Sequence, residues 1–123
     1  MPAYTPEEIH ALIAAAFNDG DLEAFLDLHE EHAVSVIPPE GRHAVGRTEI
    51  GAALAPIFAR RVRVAIEVAS KLESDGLALT HAQVRVAEPG GESWDAVGRG
   101  TVVSRRQSDG TWLIVLDNPM SPP

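Results

Sequence analysis

Cysteine is absent from this sequence of 123 residues. Without thiols the chain can form neither a disulfide framework nor a thiolate metal site, which fits a cytoplasmic setting. Apolar runs long enough to cross a membrane are also absent, and the N-terminus lacks the basic start and apolar stretch of a signal peptide. We therefore expect a cytoplasmic protein with no membrane partner.

Positive charge is scarce as well. Ten Lys and Arg residues stand against eighteen Asp and Glu residues, which gives a formal net charge of −8. A small acidic domain repels nucleic acid and anionic lipid, so we expect no nucleic-acid partner. The length suits one domain over residues 1–123, and a chain that is 45% hydrophobic can build a core without staples.

Several motifs of known chemistry are missing. No glycine-rich phosphate loop lies between a strand and a helix, and no GxSxG nucleophile elbow occurs. The segment His29-Glu30-Glu31-His32 resembles a metal site, but its two histidines are three residues apart at an expected helix end rather than in HExxH spacing. We expect a solvated helix end there, no metal site and no cofactor.

The first third of the chain predicts two helices. Thr5, followed by Pro6 and then Glu8, has the pattern of an N-cap with a capping box. Apolar residues recur at helical spacing through the next turns, and Gly20 ends this helix because glycine tolerates the left-handed conformation. A second, shorter helix follows, with a face that includes His29.

Two short strands and a third helix complete the first half. Residues Ala33–Ile37 predict a strand that stops at Pro38-Pro39, and His43–Val45 predict a second strand. The third helix is expected from about Thr48 to Arg60, and Pro56 should kink it or cut it short.

In the second half the hydrophobic period changes to two, which is typical of half-buried strands. The alternation begins at Val62, and turn signals then separate three further strands over Leu77–Glu88, Ser93–Arg106 and Thr111–Asn118. Strands joined by tight turns are antiparallel neighbours. Helices followed by such a meander predict an α+β fold with the helices on one face of the sheet.

The last strand is apolar on both sides. Trp112, Ile114 and Leu116 alternate with Leu113 and Val115, so the strand needs two covers. The helices provide one, and we expect a second copy of the protein to provide the other through a two-fold contact between sheets. The alternative is that Leu113 and Val115 are tolerated as exposed hydrophobic residues.

Polar residues inside the long strands are the candidates for a functional site. His81, Arg99 and Asp117 interrupt apolar strands, and Trp94 precedes Asp95 on the long strand. A curved sheet half-wrapped by helices forms a cup, and polar groups projecting into an apolar cup are typical of a small-molecule site. There, burial tunes an imidazole or a carboxylate for proton transfer. We assign His81 and Asp117 as candidate catalytic groups and Trp94 and Arg99 as candidate ligand contacts.

Each candidate also has a structural interpretation. His81 can be a satisfied histidine of the core or rim, and Arg99 can form an ion pair on the dimer face. Asp117, which precedes Asn118-Pro119, can cap the strand end through nearby backbone amides. Sequence alternation does not decide between these interpretations, because a single β-bulge reverses the facing of every later residue in a strand.

Three segments together resemble the SnoaL-like branch of the NTF2-like, or cystatin-like, superfamily. They are Asn18–Phe25 around Asp-Gly-Asp, Gly46–Ile50 with its Gly-Arg-Thr-Glu-Ile, and Gly100–Pro119, which contains Thr-Val-Val-Ser-Arg-Arg, Asp-Gly-Thr-Trp and Asp-Asn-Pro. The resemblance spans nearly the whole chain. It implies three helices that form a cone with a strongly curved, mainly antiparallel six-stranded sheet, and commonly a homodimer.

The resemblance implies less about function, since the superfamily includes ketosteroid isomerase, scytalone dehydratase, limonene epoxide hydrolase and polyketide cyclases. The steroid isomerases place a base carboxylate just before a proline after the first strand, where this chain has Ile37 before Pro38. Their oxyanion-hole tyrosine lies on the first helix, whereas Tyr4 precedes that helix. Members often carry Tyr and Asp near the end of the second helix, where this chain has His29 and His32.

Two functions therefore stay open. The first is a dimeric domain that binds a small apolar molecule without turnover, in keeping with the missing carboxylate before Pro38. The second is an isomerase, dehydratase or cyclase that performs acid–base chemistry on a small apolar carbonyl compound. Convergence of two ionisable side chains on one cavity favours the enzyme.

Overall fold

The fold is seen in a computed structural model that describes residues 1–91, 94 and 96–120. These residues form three helices and six strands in α+β order. The elements are α1 (Pro6–Asp19), α2 (Leu22–Leu26), β1 (His29–Ile37), β2 (Arg42–Val45), α3 (Gly46–Ala59), β3 (Arg63–Ser74), β4 (Leu77–Ala87), β5 (Ala96–Arg106) and β6 (Trp112–Asn118).

The strands form one sheet in the order β2-β1-β6-β5-β4-β3. All neighbours are antiparallel except β1 and β6, and the predicted meander from β3 to β6 is confirmed. α1 packs mainly on β3 and α3 on β1, so the helices cover one face of the sheet. We call this covered side the inner face and the opposite side the outer face.

The predicted ends of the first helix are confirmed. The Thr5 hydroxyl accepts a hydrogen bond from the amide of Glu8 at 3.2 Å, as an N-cap does. Gly20 ends α1 at φ 66°, a left-handed conformation that most other residues adopt only with strain. The side chain of Asn18 then exchanges two hydrogen bonds with the backbone of Val64, which fixes the end of α1 to β3.

The prediction for His29 and the segment after it is wrong. His29 does not lie on the second helix, which ends at Leu26, but is the first residue of β1. The helical spacing of the residues before His29 does not decide its conformation, because β1 pairs with β2 on one side and with β6 on the other. The His29 ring is fully buried, whereas His32 is exposed.

Two further boundaries differ from the sequence interpretation. α3 begins at Gly46 rather than Thr48 and passes through Pro56 to Ala59, so the proline does not cut it short. The predicted start of the long strand at Ser93 lies outside the described residues.

The three helices are held together by the chain's three phenylalanines, one from each helix. Phe17 stacks on Phe58 with ring centroids 4.3 Å apart, and Phe25 meets both rings at 5.4 and 5.3 Å. Such pairs add about 1 kcal/mol each beyond the area that they bury. The cluster fixes the helices relative to one another and, through His29 against Phe25, to the start of β1.

Among the described residues, no helix is both long enough and apolar enough to span a bilayer.

Candidate functional site

A cavity of about 490 Å³ lies between the helices and the inner face of the sheet. We call it the cone cavity. Its walls are predominantly aliphatic and aromatic, and the polar side chains among them are few. The main apolar contributors are Phe17, Phe25, Leu54, Ile57, Val64, Ile66, Val84, Val86 and Val102. A concave apolar space with a few polar groups is the usual form of a small-molecule site.

The cone cavity reaches the edge of the sheet where β1, β4 and β6 end. Pro38 and Pro39, which follow β1, and Pro119, which follows β6, line it there. Arg60, at the end of α3, pairs with Glu88, just after β4. Both side chains are more than half exposed, and an exposed ion pair adds little stability. The pair lies at the exposed end of the cavity and contributes little to holding that end together.

Asp117 is the acidic group of this cavity that lies within the sheet. Its neighbours on the adjoining strands are Ser35 of β1 and Val102 of β5, both buried on the inner face. Burial raises the pKa of Asp117 from 3.8 to about 7, and no charge or donor among the described residues offsets that rise. At neutral pH the carboxyl group is therefore divided between its acid and its base form.

A β-bulge turns Asp117 toward the cavity. Val103 of β5 pairs with Leu116 and Ser104 pairs with Ile114, so Val115 is an extra residue in β6. Ile114 is fully buried, whereas Leu116 is 48% exposed on the outer face. The expectation that Leu116 shares a face with Ile114 is therefore wrong. Without the bulge, Asp117 would lie on the outer face.

His10 is a second titratable group in the cone cavity, and the sequence interpretation missed it. The Nε2 atom lies 2.7 Å from the hydroxyl of Thr80, which donates to the carbonyl of Val102. Since that hydroxyl has one proton, His10 must donate through Nε2–H. Burial lowers the pKa of His10, so it is neutral at pH 7. Its position beside Ile9 on the buried side of α1 was the available signal.

The ladder pairs connect these groups into one row. Thr80 pairs with Val102, Val102 with Asp117, and Asp117 with Ser35. Two strand spacings, about 10 Å, separate Thr80 from Asp117. A small molecule in the cavity can therefore contact both the end that His10 occupies and the Asp117–Ser35 end.

His81 and Arg99 do not lie in the cone cavity. Both line a groove of about 720 Å³ on the outer face, where the His81 Nδ1 atom is 3.1 Å from the Thr101 hydroxyl. Asp117 also lines this groove, so the three predicted polar residues do share one space, but of the three only Asp117 reaches the cone cavity as well. We call this space the outer groove. Among the four candidates, only Asp117 lines the cone cavity.

Trp94 also lies away from both spaces. Its ring contacts the guanidinium groups of Arg63 and Arg85, whose carbon atoms lie 4.9 and 5.1 Å from the ring centroid. It lines neither the cone cavity nor the outer groove. The expectation that Trp94 lines the pocket is therefore not met, and cation–π contact accounts for its position.

The model of the SnoaL-like domain family matches residues 9–115 of this chain. The chain belongs to this family. The match covers most of α1, including His10, and continues through the other elements to Val115, the bulged residue of β6. The helices and the sheet are therefore what this chain shares with the family. The NTF2-like superfamily that the sequence motifs indicated is thereby confirmed. No curated protein matches the chain in sequence.

Solved structures confirm the fold. A domain from Thiobacillus denitrificans, described as a candidate calcium/calmodulin-dependent protein kinase type II association domain, matches with a TM-score of 0.82 at 21% identity, covering 98% of this chain and 100% of its own. A cystatin-like domain of unknown function from Nostoc punctiforme matches with a TM-score of 0.82 at 25% identity, covering 94% of this chain and 74% of its own.

A third similar structure is a ketosteroid isomerase-like protein from Erwinia carotovora atroseptica, with a TM-score of 0.74 at 21% identity and 94% coverage of each chain. At these identities the likeness shows the fold only. In this SnoaL-like chain the position just before Pro38 is Ile37, which is buried and apolar. The carboxyl group of the cavity comes instead from Asp117 on the neighbouring strand, β6.

Asp117→Asn should change how the stability of the fold depends on pH. The folded pKa lies above the unfolded one, so wild-type stability falls as pH rises from about 4 through about 7. Asparagine resembles the neutral acid, so we expect the variant to be more stable than wild type by about 4 kcal/mol at pH 8, since one pKa unit corresponds to about 1.4 kcal/mol, with no difference below pH 4. Urea unfolding of both proteins between pH 4 and pH 8 measures this difference in stability.

The control is Asp19→Asn, which removes an exposed carboxylate at the end of α1. We expect this variant and the wild type to give parallel stability curves. Parallel curves for Asp117→Asn as well would show that the Asp117 carboxyl group is not desolvated in the fold.

Proposed function

We propose that the cone cavity binds a small, largely apolar molecule that carries one oxygen able to hydrogen-bond with Asp117. The single observation that carries this proposal is an otherwise apolar cavity of about 490 Å³ with a carboxyl group whose pKa is about 7. A protonated carboxyl group can donate to a carbonyl, and an ionised one can accept from a hydroxyl. Such ligands keep the buried group satisfied in either state.

The neighbours of Asp117 support an uncharged ligand. The donor of His10 is already engaged by Thr80, so among the residues in this row the hydroxyl of Ser35 and the carboxyl of Asp117 are the groups left for the ligand. Neither carries a positive charge. Arg60 also lines the cavity but is paired with Glu88, so a ligand anion would meet the partly ionised Asp117 without an unpaired cation among the described residues, which is unfavourable in an apolar environment.

Binding can be tested with prodan, an uncharged naphthalene ketone whose emission reports the polarity of its surroundings. We expect blue-shifted emission on binding, and weaker binding as pH rises through about 7 because Asp117 loses its proton. Asp117→Leu should weaken binding at pH 6 about tenfold, the effect of one lost hydrogen bond. Asp117→Asn keeps a donor and should remove the pH dependence.

A filled cavity provides the control for location. Val84 lines the cone cavity, so Val84→Trp should abolish the prodan signal. Ala15→Trp adds the same side chain on the exposed side of α1 and should leave binding unchanged. Equal binding by wild type and Val84→Trp would show that prodan binds elsewhere and would contradict the proposal.

Proton transfer at Asp117 is a second candidate function, favoured by its pKa of about 7. A group with this pKa exchanges protons readily at neutral pH, which suits the acid–base step of an isomerase, dehydratase or cyclase acting on an apolar carbonyl compound. Asp117 would be the base, and the Ser35 hydroxyl, its ladder neighbour, would donate to the developing oxyanion. His81 lines the outer groove and not the cone cavity, so we assign it no role in this step.

Deuterium exchange distinguishes the two functions. If Asp117 acts as a base, wild type in D₂O should exchange the methylene protons beside the prodan carbonyl faster as pH rises through about 7, because the carboxylate form increases. Asp117→Asn, which can bind but not accept a proton, should reduce the exchange to the rate without protein. Proton NMR follows the methylene signal. Exchange that is equal with and without wild-type protein would favour the binding domain.

We also propose that the chain forms a two-fold dimer through its outer face. One residue from each strand forms an apolar stripe across that face: Leu72, Leu79, Val103, Leu116, Val34 and Val45. Leu72, Leu116 and Val45 are 73%, 48% and 54% exposed, an unusual exposure for large apolar groups in one row. The similar domain from Thiobacillus denitrificans is described as an association domain, in keeping with this assignment.

Charge on the outer face favours a second copy as the occupant. Glu67, Gln83 and Arg99 form a row on neighbouring strands, and all three are exposed. A two-fold axis through this row brings Glu67 of each copy toward Arg99 of the other, so the surface is complementary to itself.

Localisation in the cytoplasm stays a prediction.

A charge exchange tests the dimer. Arg99→Glu and Glu67→Arg each place like charges across the proposed contact and should give monomers in light scattering at micromolar concentration. The double variant restores opposite charges and should restore the dimer. A monomeric wild type would contradict the proposal, as would single variants that remain dimeric.

A further inference from the structure

The cone cavity and the outer groove approach each other through the sheet. Asp117 and Val36 line both spaces, although one residue faces the inner side and the other the outer side. A continuous sheet separates its two faces with paired backbone, so a side chain on one face does not normally reach a space on the other. The two spaces therefore meet at these two residues.

The ladder pairs show where the pairing between β1 and β6 stops. The described pairing between β1 and β6 ends at Ser35 and Asp117. Beyond this point Val36 still pairs with His43 of β2, and Asn118 with Thr101 of β5, but no described pair joins Val36 to Asn118. We call the gap between Val36, Asp117 and Asn118 the window.

We propose that the second copy of this chain closes the window, so that the cone cavity is complete only in the dimer. The inference rests on the proposed dimer and deepens the proposed binding function. Leu116, which precedes Asp117, belongs to the apolar stripe, so a copy seated on that stripe lies against the outer side of the window. The window is thus continuous with the proposed interface.

Closure has a physical consequence for the site. In one copy, Asp117 is half-buried and lines the outer groove as well as the cone cavity. A second copy excludes water from the groove, which strengthens hydrogen bonds inside the cavity and disfavours the ionised carboxylate further. Ligand binding and dimer formation then favour each other by the same free energy, as linkage requires. The titratable groups on the outer side are His43, Glu67, His81 and Arg99.

The experiment compares wild type with the charge-exchange variants. Arg99→Glu and Glu67→Arg should bind prodan about tenfold more weakly than the dimeric wild type, and the double variant should recover wild-type affinity. Carboxyl ¹³C NMR should show a higher pKa for Asp117 in the dimers than in the monomers. Neither substitution touches the cone cavity, so a loss confined to the monomers reports closure.

Each outcome separates this inference from the functions on which it rests. Monomeric variants that keep the wild-type prodan affinity and the wild-type Asp117 pKa would overturn closure and leave both the binding site and the dimer standing. A monomeric wild type that binds prodan would overturn the dimer and closure but not the binding function. If wild type is dimeric and does not bind prodan, the pKa comparison still decides closure.

Discussion

One extra residue in β6 determines which face of the sheet carries the ionisable group of the cavity. Successive side chains of a strand point to opposite faces of the sheet. The extra residue Val115 therefore moves every later residue of β6 to the opposite face. Leu116 thereby joins the exposed apolar stripe, and Asp117 joins Ser35 and Val102 on the covered face. Both the cavity and the surface proposed for a partner depend on this local irregularity.

An aromatic cluster and one side-chain contact hold the helices in place around the cavity. Phe17, Phe25 and Phe58 fill the space between the three helices, and the Asn18 side chain ties α1 to β3. Beyond this cluster the walls of the cavity between helices and sheet are mainly aliphatic. A carboxyl group in such a space is poorly solvated, which accounts for the raised pKa of Asp117. His10 remains neutral for the same reason, with its proton committed to Thr80.

The two faces of the sheet have separate chemistry but a common boundary. The inner face provides an apolar space with few polar groups, and the outer face combines an apolar stripe with a charged row. Asp117 lies where the described ladder between β1 and β6 ends, and it lines both the cone cavity and the outer groove. The proposed closure of the cavity by a second copy depends on this position of Asp117.

Local sequence determined the elements and their order. Caps such as Thr5, left-handed glycines such as Gly20, and alternation in the second half of the chain are short-range signals, so helices, strands and the α+β class could be predicted. Asp117 was found because a polar residue at a strand end is visible in sequence. Tertiary pairing decided the rest: it made His29 a strand residue, placed His81 and Arg99 on the outer face, and brought His10 to the cavity. The physical reason is that the face of the sheet on which a side chain lies depends on bulges and on pairing with strands far away in sequence. A local sequence pattern contains no information about either.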